Sequence, residues 1–188
     1  MKDAVFEIKP ALLRGPVTYR VDATGVSAEK GGTPQWQLPF SQVEGLRIVE
    51  LVIDGHRLAR IDLALPGGRV QAISQTLDAR VTAEDPARQG WTALTASLLD
   101  GVAQVRPETP VYLGETPRNR GIMFGIGALS LLFAGGMAIA AAGNGRLEEA
   151  GLPLAVMSLF GGWIAWHFHP WRPEITFPVR QLAPQPEA

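Results

Sequence analysis

Between Arg120 and Arg146 the sequence carries no charged residue, and between Glu149 and Arg172 its only ionisable side chains are His167 and His169. The first run reads GIMFGIGALSLLFAGGMAIAAAG (Gly121–Gly143) and the second GLPLAVMSLFGGWIAWHFH (Gly151–His169), with polar NGRLEEA between them. A bilayer core about 30 Å thick is crossed by roughly 20 apolar residues of helix, and each run is long enough. Two such runs joined by a short polar turn predict a transmembrane α-helical hairpin. The remaining chain is then one domain of modest size, a connector and a tail.

Charge narrows the function classes. Basic residues number 17 and acidic residues 18, a balance at odds with nucleic acid as a partner, since phosphate binding draws on an excess of Lys and Arg. With no cysteine, disulfides, thiolate nucleophiles and cysteine-ligated metals are excluded. The opening MKDAVFEIKPALLRG is interrupted by Glu7, Lys9 and Pro10, so it lacks a signal peptide's apolar centre. The expectation is that the first domain stays in the cytoplasm and the first apolar helix directs insertion.

From Val5 to Ser74 the pattern is strand-like, with short apolar or alternating runs between turn residues. Val17, Tyr19 and Val21 share one face, as do Trp36, Leu38 and Phe40, and then Ala59, Ile61, Leu63 and Leu65. Asp54-Gly55 between Leu46–Ile53 and Arg57–Leu65 signals a tight hairpin, because a type I′ turn requires positive φ. About seven strands in a meander result. Thr76–Gly90 is polar, with Asp85 as N-cap and Pro86 at N1 of a helix. Trp91, Leu94, Leu98, Leu99, Val102 and Val105 recur at spacings of three and four, giving it one apolar stripe. Asp100-Gly101 weakens its end and Pro107 closes it. The prolines of 106–120 predict an extended connector, and those of 170–188 an irregular tail, within which Glu174–Phe177 suits a short edge strand.

YRVDATGVSAEKGGTPQWQLPFSQVEGLRI (Tyr19–Ile48) resembles the opening of the bacterial PH-like (pleckstrin-homology-like) domain family. The residues that carry the likeness are Asp22, Gly25 and Val26 at a first turn, then Leu38, Pro39, Phe40, Val43, Leu46 and Ile48. The helix Trp91–Val105 is similar to the family's closing helix, so the resemblance covers Val5–Val105. It implies an α+β fold: a PH-like antiparallel β-barrel or sandwich with one C-terminal amphipathic helix, here residues 1–105. It also implies a domain of a kind often joined to membrane helices. Phosphoinositide binding is not carried over, because the loop Asp22–Gly25 has only Arg20 nearby.

After this domain and its connector, the expected spans are 121–143 and 151–169, with 144–150 as the external loop. Small residues recur along both: Gly121, Gly125, Ser130, Ala134 and Ala138 on the first, Ala155, Ser158, Gly162 and Ala165 on the second. Such stripes let helix backbones approach in lipid, where packing replaces the hydrophobic effect. They are expected to pack within the hairpin, the alternative being a homo-oligomer or docking to another membrane protein. Arg118 and Arg120 before the first span and Arg172 after the second place both termini in the cytoplasm by the positive-inside rule. Trp163, Trp166 and Trp171 then form an aromatic rim on that side.

Catalytic chemistry finds few candidates. His167 and His169 read as interfacial side chains; alternate residues of a helix diverge by about 200°, so shared metal ligation needs the helix to have ended. Asp54-Gly55-His56 reads as a turn rather than an acid–base pair. Trp36 and Trp91 read as core residues, with ligand stacking as the alternative. Neither span holds an ionisable group before His167, which leaves no proton relay or intramembrane protease. The expected function is a non-enzymatic, cofactor-free bacterial inner-membrane protein, multi-pass, whose PH-like domain serves as a scaffold or assembly module. Its partners are the bilayer and a membrane or cytoplasmic protein. The alternative is a small-ligand or lipid-head-group sensor coupled to the hairpin.

Overall fold

The computed structural model describes residues 3–10 and 15–183; Pro184 and Pro186 of the expected tail lie outside the described residues. The chain forms two compact units, one running to Gly114 and resuming at Glu174, the other Glu115–Pro173. The class is α+β, with two sheets, one amphipathic helix and a hairpin of apolar helices.

In the first unit β1 (Ala4–Ile8), β2 (Val17–Val21), β3 (Gly25–Lys30) and β4 (Thr33–Pro39) form an antiparallel sheet in chain order. A register shift between Ala28 and Glu29 breaks the β3–β4 ladder. The Asp22 carboxylate accepts from Thr24 N–H, Thr24 Oγ1–H and Gly25 N–H at 2.6, 2.7 and 2.9 Å, closing the β2–β3 turn. Those bonds hold its carboxyl below the usual carboxylate range, the Thr24 hydroxyl contributing most.

The second sheet has the order β7-β6-β5-β8-β9. β5 (Gly45–Ile53), β6 (His56–Leu65) and β7 (Arg69–Asp78) form an antiparallel meander. Asp54 and Gly55 turn β5 into β6 with φ of 49° and 75°, the positive values that an Asp-Gly turn supplies. β7 reaches Asp78, past the expected end at Ser74, because β6 offers it a partner at every position from Leu65 to His56.

Helix α1 (Pro86–Val105) starts where Asp85 accepts from Ala87 N–H at 2.8 Å. It buries Leu94, Leu98, Leu99 and Val102 in one core with Ile8, Val21, Phe40, Leu46, Ile61, Leu63 and Ile73. Trp36 and Trp91 are half-buried at its border. Gly101 does not break the helix. The Phe40 ring occupies the space a Cβ there would need, 2.3 Å from Phe40 Cε2.

The connector expected at 106–120 is not a free linker. Pro110–Leu113 is strand β8, parallel to β5 with Leu46 opposite Val111. Ile175–Pro178 is the edge strand β9, antiparallel to β8. The hairpin is thus an insertion between two strands that pair with each other, and the first domain does not end at residue 105. Glu174 accepts from Arg47 at 2.6 Å, and the Arg47 guanidinium lies 4.9 Å from the centroid of the Tyr112 ring.

In the second unit α2 (Pro117–Gly143) begins four residues before Gly121, with Thr116 as N-cap accepting from Asn119 N–H at 3.2 Å. α3 (Leu147–His167) starts inside the expected loop, so only Asn144–Arg146 joins the helices. Both helices are long and apolar enough to cross a membrane.

Candidate functional sites

The hairpin seam is narrower than the small-residue stripes predict. A Cβ built on Gly127 would stand 2.6 Å from Ala165 N and 2.7 Å from Gly161 O, so helix backbone meets helix backbone there. A Cβ on Gly161 would stand 2.8 Å from Ser130 Cβ. Ala134 and Ile164 are buried beside these positions. Ser130, Ala134 and Ala165 therefore lie at the seam, Gly162 at its margin with Leu131 Cδ2 at 3.9 Å. Gly121 and Gly125 are not brought to it: a Cβ on either meets nothing within 4 Å. Ala155 is exposed, while Ser158 and Ala138 are half-buried. Sequence reasoning passed over Gly127, Gly161 and Ile164. Extending the Ser130–Ala134 row three residues upstream would have reached Gly127.

The residues expected at the membrane interface fall at the open end of the hairpin. Arg120 Nη2 donates to His169 O at 3.0 Å, tying the first turn of α2 to the chain after α3. Phe124 meets Trp171 edge-on, with ring centroids 5.6 Å apart. Trp163 stacks on His167 at 5.5 Å. Trp163, Trp166, Trp171, Arg118 and Arg172 are exposed. The helix ends at His167. Among the described residues no three His, Asp or Glu side chains are grouped as metal ligands.

In the first unit a cleft of ≈ 110 Å³ lies between α1 and the β5-β6-β7 meander. Glu50, Arg57, Ala59, Gln75 and Leu77 line it from the sheet, and Arg88, Trp91 and Thr92 from the helix. Gln75 is 2 % exposed, and its Nε2 donates to Ala87 O at 3.1 Å. Its Oε1 has no hydrogen-bond partner among the described residues, leaving one acceptor for a donor group. Glu50 and Arg57 pair with each other, whereas Arg88 donates to Val81 O at 3.4 Å. This arrangement suits a small polar group or one side chain of a partner. Nothing in the sequence marked Gln75, because it lies past the expected strand end at Ser74, beside the polar stretch that precedes the helix. A second cleft, ≈ 290 Å³, is bounded by Tyr19, Trp36 and Lys30, with the Tyr19 and Trp36 rings 6.0 Å apart. Burial pushes the Tyr19 phenol pKa up.

No protein-family model matches the chain, and no curated protein matches it.

Proposed function

We propose that this chain is a non-enzymatic, membrane-anchored binding module. The α2–α3 hairpin crosses the inner membrane of a bacterium with both termini cytoplasmic, and a PH-like domain presents the cleft beside α1 to a protein partner. The observation that carries this reading is the insertion of an apolar hairpin, sealed on itself by a small-residue seam, between two paired strands of a folded domain. An anchor needs length, apolarity and internal packing, and α2–α3 has them without an ionisable group along its seam.

The PH-like reading is supported by seven antiparallel strands, four in one sheet and three in another, followed by a helix that closes the core. β8 and β9 are additions to that pattern. The test is a pull-down of the full chain in mild detergent, with Arg88→Glu beside it. A partner retained by the natural chain and lost with Arg88→Glu is expected. Recovery of the isolated chain alone at every expression level overturns the partner. Reporter fusions check topology: a C-terminal fusion active only outside the cytoplasm overturns the orientation.

Gln75 favours a second reading, in which the cleft takes a small ligand or lipid head group. Glycerol phosphate and inositol phosphate titrated against a fluorophore on Thr92→Cys distinguish the two. A saturable signal supports the second reading, and a flat one removes it.

A further inference from the structure

The register of the second sheet gives its hairpin tip a direction. β5 and β8 are parallel and aligned as far as Ile48 opposite Leu113. There β8 stops, and the chain leaves for α2 after only Gly114, Glu115 and Thr116. It returns at Ile175, opposite Leu113, so exit and re-entry lie at the same end of the sheet. β5 continues beyond that end through Val49–Ile53, and β6 brings it back. Five residues of strand project about 17 Å past the exit point. The four steps from Leu113 to Pro117 span at most about 14 Å. β8 therefore leads out of the sheet in the direction in which β5 leads to its tip, and the link to α2 is no longer than the tip's projection.

The strand ends flanking the Asp54-Gly55 turn are apolar where solvated strand ends would be polar. Leu51, Val52, Ile53 and Leu58 are 38, 60, 51 and 38 % exposed. Leu51 and Leu58 face each other across the ladder, with Ile53 two residues on, so these three form a patch on the sheet's outer face. Val52 projects from the opposite face. A strand that is apolar on both faces fits surroundings that desolvate both.

We propose that the β5–β6 tip is a second membrane contact, seated in the interfacial layer of the bilayer that α2–α3 spans. This rests on the reading of α2–α3 as a membrane anchor. Depth is limited by the backbone. Beyond Ile48 the outer edge of β5 has no strand partner among the described residues, and unpaired amides do not enter hydrocarbon. Asp54 and His56 at the turn hold the tip at head-group level. Acidic Glu50, Asp54 and Asp78 stand near basic Arg57 and Arg80, so contact depends on apolar area and not on anionic lipid.

The chain has no cysteine, so single substitutions carry a fluorophore cleanly. Full-length Ile53→Cys, Thr33→Cys and Ile139→Cys, labelled with an environment-sensitive dye, are reconstituted in phosphatidylcholine vesicles. The Ile53→Cys label is expected to emit to the blue of Thr33→Cys and to be quenched most by head-group nitroxide lipid. The Ile139→Cys label, on α2, is quenched most by nitroxide deep in the acyl chains. If Ile53→Cys matches Thr33→Cys in iodide access and ignores nitroxide lipid while Ile139→Cys is quenched, the tip contact is overturned and the anchor stands. Shielding of Ile53→Cys from iodide without lipid quenching assigns the patch to protein and also overturns it. An Ile139→Cys label untouched by every nitroxide lipid overturns the anchor, and the tip contact with it.

Discussion

Gly101 sits where helix propensity and packing pull in opposite directions. Alanine there would gain about 1 kcal/mol of helix propensity. Its Cβ would also stand 2.3 Å from a Phe40 ring that is fully buried and cannot swing aside. Overpacking costs about 1–3 kcal/mol, and at so short a distance it wins. Gly101→Ala should lower the urea midpoint of the detergent-solubilised chain, and adding Phe40→Leu should restore part of the loss, since touching residues are non-additive. Asp22 is held by three donors that favour its charged form, so its folded pKa lies below the unfolded 3.8. The stability it contributes is present above that value and lost as pH falls through the folded one. Between about pH 5 and about pH 3, Asp22→Asn should show a shallower fall in urea midpoint than the natural chain. Asp22 was legible in the sequence as a turn residue. The role of Gly101 was not, because its obstacle is a side chain 61 positions earlier.

The elements differ in how openly the sequence announced them. All seven strands before α1 were visible, because each is a short apolar or alternating run bounded by Gly, Pro or Asp. β8 was hidden. Its four residues lie among prolines, and their strand character comes from pairing with β5 more than sixty positions away. Within the hairpin, Gly, Ala and Ser cover several faces of α2, so spacing alone does not select the face that meets α3. The structure does, and it predicts a contrast. Gly127→Ala places a methyl against two backbone atoms of α3 and should reduce crosslinking between cysteines introduced at Ala134 and Ser158, whereas Gly125→Ala, with open space around it, should leave it unchanged. The paired strands permit a second test. Replacing 115–173 by a short Asn-Gly turn joins β8 to β9 directly, since Leu113 already faces Ile175. That chain should unfold in one cooperative transition, while a chain ending at residue 114 lacks β9 and the Arg47–Glu174 contact and should melt at lower temperature.

At the scale of the molecule, the account depends on what crosses the bilayer. Near-neutral charge, a mixed-charge cleft and an apolar β-hairpin tip suit a domain that works beside a membrane. The apolar hairpin was the most legible part of the sequence, because two runs of about twenty uncharged apolar residues are hard to read as anything but long apolar helices. The cleft was the least legible, since it forms where a helix and three strands from separate stretches converge. The central claim is that α2–α3 spans the membrane with the folded domain inside. Arg146 lies in the turn between the helices, and Lys30 is the last residue of β3 in the domain. In intact bacterial cells stripped of their outer barrier, an impermeant maleimide should label Arg146→Cys at once and Lys30→Cys only after lysis. Labelling of Lys30→Cys before lysis, or of Arg146→Cys only after it, would contradict the account.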